Sequence, residues 1–174
     1  MHELKTPDEV LADLLHAADS VVVDVGCGHG FFALPGARML TGGTLIGIDA
    51  LQGNLDVLQR RALAQGIGNL QTIRVQGMGL PLPDASVDAV LVERVFRDIP
   101  NWSSLRREAR RILRPGGQLC LLEWDDTVAT QGPSLDIWLA PEALAQFVES
   151  GGFRTIDIRR DPKPFVRVLA TRVA

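Results

Sequence analysis

Asp24 stands two residues ahead of three glycines set at every second position, Gly26, Gly28 and Gly30, in the stretch VVVDVGCGHG. Glycine takes up positive φ without a Cβ penalty and lets a ligand rest on bare main chain. Valines run into this loop and an apolar helical stretch follows it. Such a strand–turn–helix unit suits a nucleotide-like ligand, with N–H groups at the helix start aimed at an anion. Asp49 closes the run TLIGID about 20 residues further on, where a carboxylate accepts hydrogen bonds from ribose hydroxyls. The same side chain can also cap the helix that follows. A dinucleotide fingerprint, G-x-G-x-x-G, needs glycine at position 31, and Phe31 is there instead. The loop is therefore not shaped for a pyrophosphate. A tight turn with no ligand is the competing reading of the glycines taken alone.

Short β-branched runs alternate with longer helical stretches, which predicts one α/β domain over residues 1–174. Strands are expected over 21–25, 44–48, 70–75, 87–92 and 118–123, and helices over 6–17, 31–40, 51–65 and 102–113. Arg114-Pro115-Gly116-Gly117 reads as a strong helix stop. The first, second, fourth and fifth strands are nearly continuous apolar runs, as parallel strands covered on both faces should be. The tail reads as a helix over 141–150, then alternating strands over 153–160 and 165–172 around a turn at 161–164. That is a terminal antiparallel hairpin, so the seven-stranded sheet is expected to be mixed at one edge.

A hydrophobic fraction of 46% and a charged fraction of 22% are ordinary for a globular protein. The net charge of -3 gives no reason to expect nucleic acid or an anionic membrane as partner. MHELKTPDEV has no apolar segment of the secretory kind, and no apolar run is long enough to span a bilayer. Cys27 and Cys120 make neither a disulfide framework nor a ligand cluster, so no metal is expected and the reducing cytoplasm is the expected compartment.

Four blocks occur in order: VVVDVGCGHG, GTLIGIDA, LPLPDASVDAVLVERV and ARRILRPGGQLCLLEW. Together they resemble the class I S-adenosylmethionine-dependent methyltransferase family, nearest in pattern to its ubiquinone and menaquinone biosynthesis branch. The resemblance implies a Rossmann-like, doubly wound sheet and S-adenosyl-L-methionine as cofactor. It assigns Asp24 to steadying the glycine turn or binding the cofactor's amino group. Gly26, Cys27, Gly28 and Gly30 would wrap the methionine moiety. Asp49 would hold the ribose, with Ala50 and Leu51 on the adenine side. Where similar proteins commonly read G-D-A after the third strand, this chain reads Val75-Gln76-Gly77. Gln76 can accept through its amide carbonyl, Gly77 can donate a backbone N–H, and Met78 can pack on the ring.

The acceptor is left open by the sequence. Glu93 or Asp98 could act as a base and Arg94 or Arg97 could hold an acidic acceptor, although pairing among these charges is favoured. His29 is read as a polar turn residue and Cys27 as a small packing residue rather than a reactive thiol. Arg106, Arg107, Arg110, Arg111 and Arg114 recur at helical spacing, which raises RNA as a disfavoured alternative to a small-molecule acceptor. Little lid material is expected: a short first helix, Trp124, Trp138 and the stretch 125–140. A small acceptor in an open cleft, a second copy of the chain completing the pocket, or an acceptor that shields the site itself each fit that expectation. The rival to an enzyme is a non-catalytic protein that binds S-adenosylmethionine or its demethylated product. A nicotinamide-dependent oxidoreductase is disfavoured by Phe31.

Overall fold

The computed structural model describes residues 6–15, 17–77, 79–95, 101–124, 141–160 and 165–174. Valine-rich β1 (Val21–Val25) lies at the centre of a seven-stranded sheet with β2 (Thr44–Asp49), β3 (Leu70–Arg74), β4 (Val87–Glu93), β5 (Leu113–Trp124), β6 (Phe153–Arg160) and β7 (Phe165–Arg172). The order is β3-β2-β1-β4-β5-β7-β6. β1 pairs in parallel with β2 and β4, β2 with β3, and β4 with β5. β7 pairs antiparallel with both β5 and β6, so it alone runs against the rest. The sheet is thus mostly parallel with antiparallel pairing at one edge, as expected.

Side chains alternate across the strands, and each face acquires its own helices. Val22, Leu45 and Leu91 pack under α1 (Pro7–Leu14), α2 (Ala33–Met39) and α3 (Gln52–Ala64). Val23, Ile46, Val90 and Val92 pack under α4 (Trp102–Ile112) and α5 (Pro141–Glu149). Because both faces are covered, the central strands carry no polar stripe. The chain runs outward from β1 to β3, then crosses to β4 on the other side of β1. Ligands of open α/β sheets bind at that reversal, beyond the carboxyl ends of the strands.

Two boundaries differ from expectation for physical reasons. α1 stops at Leu14 rather than near Ala17, because Leu15 is already extended and a turn from Ala17 to Ser20 delivers the chain to β1. β5 starts at Leu113, directly after α4. Val87 pairs with Leu113 and Ala89 with Gln118, so residues 114–117 bulge out of register instead of standing outside the strand. Gly116 takes φ +81 within that bulge, where a side chain would be strained.

Arg167 on β7 is 1% exposed, and its Nη1 lies 2.7 Å from Asp13 Oδ2 on α1. This pair ties the antiparallel strand to the first helix. Leu58 of α3 is fully buried, and its Cδ1 would meet a Cβ placed on Gly30 at 2.4 Å, so it supports the glycine loop from beneath. Leu58→Ala is expected to cost about 2–5 kcal/mol of stability, read by urea unfolding with the slope m unchanged.

Candidate cofactor and active site

The glycine loop is held from within. Ile48 carbonyl oxygen accepts from Gly26 N–H at 2.7 Å and from Cys27 N–H at 3.1 Å, which pins the loop to the end of β2. Gly30 N–H donates to Cys27 O at 2.9 Å, and Gly28 N–H donates to Asp49 Oδ2 at 2.9 Å. The expectation of free N–H groups facing an anion is therefore not met at these four positions, and α2 begins only at Ala33. What the glycines supply is clearance. A Cβ on Gly26 would meet Val95 Cγ1 at 2.1 Å, whereas one on Gly28, at φ +50, would meet nothing closer than 4.0 Å. Gly28 is thus the bare spot that a ligand can touch.

Asp49 is 8% exposed and joins three elements. Beyond Gly28, its Oδ1 accepts from Leu51 N–H at 2.8 Å, and the Asn54 amide straddles both oxygens at 3.1 and 3.2 Å. The capping and the cofactor-facing readings of this side chain describe one arrangement: it holds the chain entering α3 while facing the loop. Asn54 was not singled out from the sequence. Its signal was a polar side chain on the first turn of α3, five residues after the acid.

These elements frame a cleft of about 1110 Å³. Gly26, Cys27, Gly28, Gly30, Asp49, Ala50, Leu51, Gly77 and Glu93 all line it. Asp24 does not; it is 3% exposed, behind the loop within β1. Gln76 is exposed and outside the lining, where Val75 and Gly77 form that part of the wall instead. Met78, Arg97, Asp98 and residues 125–140 with Trp138 lie outside the described residues, and so does the turn at 161–164. Leu80, Val95 and Leu105 contribute apolar surface that the sequence did not assign.

Three carboxyl groups gather at the ends of adjacent strands. Burial, then Glu93 and Asp49, pushes the Asp24 carboxyl up to about 8. Burial also raises Glu93, and the neighbouring Arg94 guanidinium partly offsets this by charge and by a hydrogen bond. Arg94 holds φ +50, uncommon for a side-chain-bearing residue, and sits 5.9 Å from the Phe31 ring centroid across the mouth of the cleft. The favoured pairing among the charges after β4 is thus seen for Glu93 and Arg94. Cys27 packs with its Sγ 2.9 Å from where a Cβ on Gly47 would stand. Burial, then the charges of Asp24 and Asp49, holds its thiol far above the ordinary range, which suits packing rather than attack.

The arginines of α4, and Arg114 just after it at the start of β5, are largely spent within the protein. Arg106 bonds Ser150 Oγ at 2.6 Å, Arg110 bonds Val173 O at 3.4 Å, Arg111 bridges Glu108 and Asp84, and Arg114 pairs with Asp88. Among the described residues no group of three or more His, Cys, Asp or Glu side chains is placed to hold a metal, and no helix is long and apolar enough to cross a membrane.

A family profile described as a methyltransferase domain matches residues 23–121, more than half of the chain. The chain belongs to the class I S-adenosylmethionine-dependent methyltransferase family. Its curated relatives in that family include demethylmenaquinone methyltransferases of Geobacillus kaustophilus, 30% identical over 69% of this chain and 52% of theirs, and of Symbiobacterium thermophilum, 34% identical over 59% and 41%. The chain spans about half the length of these relatives. A SAM-dependent methyltransferase from Aquifex aeolicus superposes with a TM-score of 0.90 at 22% identity, over 98% of this chain and 91% of that one, a likeness of fold.

S-adenosylmethionine, the cofactor this methyltransferase family implies, fits the residues present. Gly28 offers an unobstructed main chain, and the shared Asn54 contact on Asp49 is the one a pair of ribose hydroxyls would replace. Ile48, Leu51, Val75 and Leu80 give apolar wall for an adenine, and the carboxyl groups complement a cation.

Asp24 makes that last point measurable. Its folded value near 8 stands above the ordinary 3.8, so between these pH values the fold keeps a proton that the unfolded chain has released. This group's contribution to the stability of the ligand-free protein is present below about 3.8 and lost as pH rises through 8. Binding of a cationic cofactor favours the ionised carboxylate, so affinity should rise over the same interval. Urea unfolding and cofactor titration at several pH values should show both slopes in the wild type and flattened slopes in Asp24→Asn.

Proposed function

We propose that this chain transfers the methyl group of S-adenosylmethionine to a small-molecule acceptor. The observation that supports this most directly is the Gly28–Asp49 crevice at the point where the chain reverses across the sheet, in a chain of this family. The cofactor supplies a methyl group already activated on a sulfonium. The protein therefore needs alignment more than a nucleophile of its own, and well-oriented reactants gain about 7–11 kcal/mol.

Each side chain then has a limited task. Asp49 holds the sugar, and the loop from Gly26 to Gly30 shapes the amino-acid end. Glu93 and Asp24 stand near the cationic centre, whose charge favours the ionised form of each. Val95, Leu80 and Leu105 exclude water from the adjoining space, which strengthens every electrostatic contact there. Glu93, half-buried and paired to Arg94, is the group placed to take a proton if the acceptor must lose one. The curated relatives are named as demethylmenaquinone methyltransferases, which makes a ring-bearing quinol the first acceptor to assay. The apolar wall suits such a ring.

Tritium transfer from methyl-labelled cofactor, first into quinols and then into a fractionated cell extract, tests the reading. Label should appear in a small organic product with wild-type protein. Asp49→Ala should weaken cofactor binding by about tenfold or more, given the loss of hydrogen bonds to a charged acceptor. Unaltered affinity in a variant that melts cooperatively would displace the sugar from this acid.

A further inference from the structure

The cleft continues past the glycine loop into a groove between α2 and α3, lined by Leu34, Pro35, Arg38, Arg61 and Gln65, with His29 at its rim. This arm carries charge of the opposite sign to the strand-end carboxyls. Arg61 and Gln65 are one turn apart on or just beyond α3, so their side chains share a face. Arg38, in the last turn of α2, reaches across and donates to Gln65 Oε1. Both arginines thereby line the same arm of the cleft, Arg38 through its bond to Gln65 and Arg61 one turn before that glutamine.

Among the described residues neither pairs with a carboxylate. Arg61 Nη1 donates to the backbone carbonyl of His29 at 2.8 Å, and Arg38 uses an amide oxygen. Arg94, Arg111, Arg114, Arg159 and Arg167 each pair with an acid instead. The two carboxylates in the cleft lining are committed elsewhere: Asp49 to Gly28, Leu51 and Asn54, and Glu93 to Arg94. Arg38 also faces the negative end of α2, but that interaction leaves the outward N–H groups of its planar fork unused. Neighbouring like charges with only neutral partners repel, and a multivalent anion between them removes that cost while its oxygens match the guanidinium fork.

We infer that the α2–α3 arm is an anion-binding subsite, distinct from the cofactor crevice, that takes a phosphate-type group between Arg38 and Arg61. Leu34 and Pro35 floor the groove, so an organic portion attached to the phosphate has apolar surface to lie on. The site also touches the cofactor loop, because Arg61 holds the carbonyl of His29. The inference does not depend on methyl transfer.

Isothermal titration of the purified chain with inorganic pyrophosphate, and separately with ADP, tests it. Pyrophosphate should bind the wild type at one site at millimolar concentration or below. Tighter binding of ADP assigns the groove to a phosphate borne on a larger molecule, and equal binding to the free anion. The double variant Arg38→Gln/Arg61→Gln should lose affinity by about tenfold or more. Arg107→Gln, which removes the same kind of charge from the exposed face of α4, should change nothing. Arg38→Lys keeps the charge without the fork and should fall between. Thermal melts of each variant without ligand confirm that they fold. No binding to the wild type, full retention in the double variant, or equal loss in Arg107→Gln would overturn the inference.

Discussion

A single carboxylate, that of Asp49, couples the glycine loop, the end of β2 and the entry to α3, and the shape of the cleft follows from it. Its acceptor oxygens satisfy the Gly28 and Leu51 N–H groups and the Asn54 amide at once. Two of those donors belong to a loop and a helix start, which have no ladder partner of their own. Left unsatisfied in a part-buried place, each would cost about 1–3 kcal/mol. The loop is thus positioned by a residue that also lines the cleft.

The electrostatics of the cleft are uneven in a way that suits its chemistry. Asp24, Asp49 and Glu93 crowd the ends of β1, β2 and β4, while the α2–α3 arm carries Arg38 and Arg61. Carboxyls this close cannot all ionise cheaply, and burial with the charges of Glu93 and Asp49 pushes the Asp24 carboxyl up to about 8. A sulfonium with its amino group, bound in the cleft, would relieve that crowding, and a demethylated thioether would relieve less of it. The packing around the loop is close where Gly26 meets Val95 and Gly30 meets Leu58, and open at Gly28.

Much of this was legible in the sequence. β1, β6 and β7 match their expected spans, because valine runs and alternating tails are bounded by clear turn residues. The loop and Asp49 could be located because glycine spacing and a strand-end acid are local signals. RPGG stops α4 as expected, but the start of the fifth strand was missed: its residues make a bulge inside β5 whose pairing with β4 is set by tertiary contact. Internal consumption of the loop N–H groups by Ile48 and Asp49 was likewise invisible, since it depends on how β2 abuts the loop. Arg38, Gln65 and Arg61 meet across two helices, and nothing in their sequence separation announces it.

The central claim is that Asp49 receives the sugar of a sulfur nucleoside lying on Gly28. A crystal grown with S-adenosylhomocysteine tests it without reference to any acceptor. Both ribose hydroxyls should lie within hydrogen-bonding distance of the Asp49 carboxylate, with the Asn54 amide turned away and the amino-acid arm along Gly26 to Gly30. A nucleoside seated elsewhere, or a sugar held by another residue while Asp49 keeps its contacts to Asn54, would contradict the account.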